Sequence, residues 1–278
     1  KKNAGSTSEE ILVTSAAVNV AKAALEAANV DQQNTTEDLS NTIVVYAAAV
    51  TEAEVALESA QDALTTTTSE NVQDSEEIWD DLINSLKASM IEVRSALSDA
   101  DEVLGIDNSL ANNEFEHVLS ALDYQALVAA ENAYSDATES RDDAEVVVFV
   151  LTTSSSDSEI ESASTLVEAA LSDTETTLLE TRRALDATTI DTATFSFDDL
   201  SALKASIDTA RNAIQTDHDL LIIDLQAIDA AEIAHENERI AAENAVSSAE
   251  QSLASARATQ TSKTALAEAA VRSAKVAV

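Results

Sequence analysis

The sequence predicts an all-α fold, an elongated bundle of long amphipathic, Ala-rich helices with coiled-coil-like seams, and three observations carry that prediction. Apolar residues recur at alternating steps of three and four through almost every segment, which gathers them on one stripe of a helix. The 278 residues include no Pro and only two Gly, so the residues on which tight turns depend are nearly missing. Hydrophobic side chains make up 45% of the chain, enough to build a core, yet aromatics are only 3%. Ala and Val bury little area each, so seams made from them must be long to be stable.

The first helix is expected over about 8–30, with Ile11, Val18, Ala21, Leu25 and Ala28 on its stripe. Thr7 followed three residues later by Glu10 is the pattern of a capping box at its start. Asp31 to Thr36 reads as a polar break. A second helix then runs to Leu64 along Ile43, Tyr46, Val50, Ala53, Leu57 and Ala60. Thr65 to Asn71 is β-branched and polar, and reads as a connector. A third helix is expected over about 75–104, with Leu86, Met90, Val93, Leu97 and Ala100 inward, and Gly105 at the place where a left-handed residue ends a helix.

After a loop from Ile106 to Asn113, a fourth helix is expected over about 114–152 along Leu127, Ala130, Tyr134, Ala137, Ala144 and Val148. Arg141 shares that stripe, and either snorkels at the seam edge or pairs with a carboxylate. Ser154 to Ser156 break the pattern before a fifth helix over about 158–187, which carries Ile160, Val167, Leu171, Leu178 and Leu185 with Thr174 and Thr181 in the same seam. From Phe197 to Val278 no breaker occurs. One helix of that length would reach about 120 Å at 1.5 Å per residue. It therefore bends back near Thr259 to Thr264 or serves as a rod for shorter helices. The chain divides into segments 1–110, 111–197 and 198–278, the last packing on the bundle or on a neighbouring subunit. A faint echo sets Leu86-Lys87-Ala88-Ser89 against Leu203-Lys204-Ala205-Ser206, which either marks a duplication or follows from helical periodicity in a narrow alphabet.

Charge excludes more functions than any motif does. With 52 acidic against 15 basic residues the net charge is −37, and a chain so acidic has no phosphate-neutralising surface for nucleic acid. Self-repulsion of that size is relieved by salt or cations, which suits a marine, halophilic or cation-rich exterior. Residues 239–278 depart from this pattern, with Arg239, Arg257, Lys263, Arg272 and Lys275 against Glu243, Glu250 and Glu268, a net of +2. That end is expected to dock either on its own bundle or on a neighbouring copy, and Arg257, Leu266, Val271, Arg272, Lys275 and Val276 form the expected assembly interface.

Chemistry is hard to find. His117, His218 and His235 are scattered, and Arg239 stands where a His-Glu-x-x-His zinc helix starting at His235 would need its second histidine. Asp99, Asp101, Gly105 and Asp107 do not have the spacing of a calcium loop, and Glu139, Asp142, Asp143 and Glu145 offer at most loose cation binding. Two glycines cannot build a phosphate-cradling loop. No cysteine is present, which removes thiolate ligands and thiol nucleophiles. No enzyme activity, cofactor or metal is expected. No stretch of about 18 apolar residues exists, and the apolar run Val146 to Leu151 is too short, so no transmembrane segment is expected. The start at Lys1-Lys2-Asn3 and the Asn34-Thr35-Thr36 sequon suit an extracellular or cell-surface protein.

The expected function is a structural subunit of an extracellular or surface assembly, a filament, sheath or surface layer, whose partner is the chain itself. A monomeric helical spacer or binding module of a surface protein is the alternative. A helical-bundle pore-forming toxin, suggested only by the apolar run Val146 to Leu151, is the remote one.

Overall fold

The computed structural model describes residues 7–191 and 193–277. They form an all-α protein with four helices, α1 Ser8–Leu104, α2 Tyr124–Val148, α3 Asp157–Asp186 and α4 Phe197–Ala277. A single isolated bridge, Asp191 to Phe195, is the other regular pairing among the described residues.

The three helices expected before Gly105 are one. Neither polar stretch breaks α1, because its threonines bond within the helix. Thr35 and Thr36 hydroxyls donate to the Asp31 and Gln32 carbonyls at 3.0 and 2.7 Å, and Thr65 and Thr68 donate to Gln61 and Leu64 at 3.0 and 2.8 Å. A hydroxyl bonded four residues back is compatible with a helix, and no Gly or Pro lies there to interrupt one. α4 is likewise helical throughout, including Thr259 to Thr264, so the bend considered there is not made.

The ends are set by named side chains. Thr7 and Glu10 form the expected capping box, with the Thr7 N–H on Glu10 Oε2 at 2.8 Å and the Glu10 N–H on Thr7 Oγ1 at 3.3 Å. Ser196 and Asp199 repeat the arrangement before α4 at 2.9 and 3.2 Å. Gly105, at φ 66°, ends α1 as expected, and the Asn112 amide donates to the Val103 and Leu104 carbonyls at 3.1 and 2.9 Å. The fourth helix starts ten residues later than its pattern suggested, at Tyr124. Before it, Ser120 takes φ 52°, the Leu122 N–H donates to the Ala187 carbonyl at 2.9 Å, and the Asp123 carboxylate caps Gln125 at 3.1 Å.

By compactness the chain forms two units. One takes the chain up to Ser69 with the chain from Asn237 onward, and the other is Glu70–Glu236. The second is a four-helix bundle in up-down-up-down order, made from the C-terminal third of α1, α2, α3 and the first half of α4. Leu86, Met90, Val93, Leu97, Val148, Leu171, Leu178, Ile207 and Ile214 are fully buried in its core. Lys87 Nζ caps the end of the α2 turn at the Leu151 carbonyl at 2.8 Å, and Lys204 Nζ meets Asp186 at the end of α3 at 2.8 Å. The echo between the two Leu-Lys-Ala-Ser segments thus falls on two core stripes with equivalent lysines, carried by helices that run in opposite directions.

Candidate assembly surface

The first unit pairs the N-terminal part of α1 with the C-terminal part of α4. On α1 the half-buried positions are Gln32, Thr35, Leu39, Thr42, Tyr46, Val50, Ala53, Leu57, Ala60, Leu64 and Thr67, with Ala28 before them and Ala47 beside Tyr46. Their steps alternate between three and four except around Tyr46, where two steps of four follow each other. On α4 the covered positions from Ala242 to Ala274 alternate in the same way, and two steps of four flank Gln260. Successive steps of four move a stripe from a period of 3.5 towards that of a straight helix.

Tyr46 and Ala49 share a groove with Ser252, Ser255, Ala256 and Thr259, the residue before Gln260, which brings the two shifts near one another. Setting Tyr46 level with Gln260 and stepping along both helices places Val50 level with Ala256 and Leu57 level with Ala249. Ala60 then stands level with Val246, and Leu39 with Ala267. In that register each of these last four pairs sets a large side chain level with an Ala, the complementarity that lets Ala-rich helices approach closely. Arg257 Nη2 reaches Glu54 Oε1 at 2.8 Å across the same pair of helices. Residues 8–69 hold ten acidic groups and one basic one, so the mildly basic end of α4 lies along an acidic partner within the chain.

Residues 8–31 stand apart. Apart from the half-buried Ala28 they are exposed, although Ile11, Thr14, Val18, Ala21, Leu25 and Ala28 continue the α1 stripe at steps of three and four. Ile11 is 59% exposed, Val18 47% and Leu25 48%. This stretch holds a window long and apolar enough, by those two measures, to cross a membrane, and none of it is buried. Strict runs of apolar residues do not reveal it, because Lys22 and Glu26 interrupt them.

The residues expected to form the assembly interface divide. Val271 is 8% exposed within its own chain and Arg257 is held by Glu54. Leu266 and Val276 are exposed, Arg272 lies 3.7 Å from Glu268 on its own helix, and Lys275 occupies the last turn.

The second unit brings together groups that the sequence left scattered. His235 Nε2 lies 3.0 Å from Asp74 Oδ2, its Nδ1 lies 3.2 Å from Ser75 Oγ, and the Asn71 amide donates to its backbone carbonyl at 3.1 Å. The tautomer that satisfies both ring atoms donates from Nε2 to Asp74 and accepts from Ser75 at Nδ1. Ser, His and Asp in contact invite comparison with a catalytic triad, but the surrounding N–H groups are committed inside α1 and α4 and supply no oxyanion hole. The node acts as a polar register pin between two helices. His117 lies 3.2 Å from Asp191 on the loops that close the bundle, while His218 is half-buried on α4.

Several carboxylates of the acidic clusters are engaged in structure. The Asp101 carboxylate accepts from the N–H groups of Ile106, Asp107 and Asn108 at 2.8, 2.7 and 2.9 Å, so it clasps the turn after Gly105. Asp107 accepts from the Tyr134 hydroxyl at 2.8 Å, and burial together with this bond pushes the phenol pKa up. Arg94 holds Glu145 in a two-point contact and stacks 4.9 Å over the Phe149 ring, and Arg141 pairs with Asp142 at 2.7 Å. Among the described residues no group of three His, Cys, Asp or Glu is placed to hold a metal ion.

No protein-family model, curated protein or solved structure matches the chain.

Proposed function

We propose that the protein is a non-enzymatic structural subunit of an extracellular or cell-surface assembly, such as a filament, sheath or surface layer, held together by helix packing between copies. The observation that carries this reading is the stripe of Ile11, Val18 and Leu25, exposed among the described residues and in phase with the seam that α1 forms with α4. Contiguous exposed apolar area on a folded protein marks a surface meant to be covered. The acidic remainder of the surface keeps copies apart at low ionic strength and lets salt or divalent cations promote assembly.

A monomeric spacer of a surface protein is the second reading, favoured by the placement of Arg257 and Val271 against their own chain. Electron microscopy of the purified chain at low and at molar salt separates the two. Ordered filaments or sheets that increase with salt support the structural subunit. Dispersed single molecules under both conditions support the spacer.

A further inference from the structure

We propose that Asn34 is an N-glycosylation site, and that the sugar it carries covers the apolar face of α1 turned away from α4. This rests on the extracellular part of the reading above and not on assembly.

Availability of the amide is the first argument. The acceptor pattern is Asn34-Thr35-Thr36, and no other Asn in the chain is followed at the second position by Ser or Thr. Around Asn34 the polar side chains are engaged, with the Thr35 and Thr36 hydroxyls on carbonyls of the preceding turn and the Gln33 amide on Glu37 Oε1 at 3.1 Å. The Asn34 side chain is exposed and has no partner among the described residues.

Position around the helix is the second. At about 100° per residue, the seam residues Thr35, Leu39 and Tyr46 lie about 100–140° from Asn34, so a bulky group there leaves the pairing with α4 undisturbed. By the same rotation Val30 and Val45 lie within about 40° of Asn34, and they are 57% and 61% exposed. Val30 precedes Asn34 by about one turn and Val45 follows it by about three. Both stand on a part of α1 whose other side is half-buried, from Ala28 through Gln32, Thr35, Leu39 and Tyr46, so their exposure follows from the side they occupy. A saccharide suits this face. Its rings present C–H groups to valine and hydroxyls to water, and being uncharged it meets no repulsion from a chain of net charge −37.

The donor is a diphosphate-activated oligosaccharide, and a transferase of the exporting cell makes the transfer. The Asn34 amide nitrogen bonds to the anomeric carbon as that carbon's bond to the phosphate oxygen breaks. The diphosphate leaves with the electron pair, and the amide nitrogen gives one proton to a base of the transferase. In α1 the Thr36 hydroxyl is tied to the Gln32 carbonyl, so the transfer belongs to the chain before α1 winds.

Peptide mass spectrometry of the full chain, recovered from the exterior of the cells that make it, tests this. Cleavage after glutamate releases residues 27–37, which contain Asn34 and no other acceptor pattern. The expected result is a mass above that of the bare peptide by whole hexose or N-acetylhexosamine units. That increment should be lost in N34Q and in T36A, which keeps the asparagine and removes the pattern, with helix content checked by circular dichroism. An added mass that survives in N34Q would overturn the proposal. A bare peptide from exterior chain would overturn it and leave the structural subunit standing, whereas a bare peptide from a chain found only inside the cell would overturn both. A glycosylated chain that stays as single molecules in electron microscopy would uphold the site and overturn the assembly reading.

Discussion

Arg257 Nη2 and Glu54 Oε1 lie 2.8 Å apart although 203 residues separate them, and this pair spans α1 and α4 within one unit. It gives the charge asymmetry of the chain an internal use. Part of the basic C-terminal stretch steers α4 along the acidic half of its own α1, so charge alone does not single out that stretch as the contact between copies.

Because both partners are about half exposed, the pair contributes little on its own. E54R and R257E should each destabilise the chain by about 0.2–1 kcal/mol in urea unfolding. The double swap should recover most of that loss at low salt. A coupling energy of zero in the double-mutant cycle would remove the pair from the account.

The close of α1 is far more sensitive. A Cβ at Gly105 would lie 2.5 Å from Asn112 Oδ1, and the residue already sits at φ 66°. G105A should therefore cost more than the roughly 1 kcal/mol of the left-handed backbone alone. N112A should also cost about 1–3 kcal/mol because it strands the two carbonyls that Asn112 satisfies. Fluorescence of Trp79, the sole tryptophan and half-buried against the bundle core, gives the readout in urea.

Core and surface leucine-type positions should separate cleanly. Leu171 is fully buried, so L171A should cost about 2–5 kcal/mol. Val146 is largely exposed, so V146A should stay within about 0.5 kcal/mol. The apolar run from Val146 to Leu151 is thus partly surface, while Val148 and Leu151 are core.

Much of this was legible in the chain, and the misses have specific causes. Gly105, the Thr7 and Glu10 capping box and the limits of α3 follow from residues whose local preference agrees with their environment, and α4 takes the unbroken one of the two forms its pattern left open. The false breaks in α1 came from threonines, whose side chains serve a turn or a helix equally well until the i−4 carbonyl bond is seen. The late start of α2 depends on the Leu122 to Ala187 bond, a contact no local pattern contains. The stripe of Ile11, Val18 and Leu25 was visible as a seam. Its exposure among the described residues depends on which part of α4 stands beside which part of α1, a pairing of positions far apart in sequence that no local pattern contains.

Acid should first stabilise the protein and then destabilise it. Burial, aided by Glu102 and Glu92, raises the Asp99 pKa above its ordinary 3.8, and burial alone raises that of Asp217. In the window between the ordinary and the raised values the folded state binds more protons than the unfolded one, so stability grows as pH falls through it. Asp186 has the opposite sign, since burial raises its pKa but the bonds from Lys204 and Arg182 outweigh burial and lower it. Glu159 is lowered by the Ser156 N–H and hydroxyl, and Asp199 by the Ser196 hydroxyl and N–H. Their contributions are present above the ordinary carboxylate range and are lost as pH falls through the lowered values. The melting temperature should rise as pH falls through that window and fall once pH drops below the ordinary carboxylate values. D99N and D217N should each flatten the rise.

The central claim is that this chain associates with itself through a helix face, and sedimentation velocity at about 0.1 M and 1 M salt tests it most directly. The account predicts a species larger than the 29.2 kDa chain whose share grows with salt and with protein concentration. A single monomeric boundary under all of these conditions would contradict it.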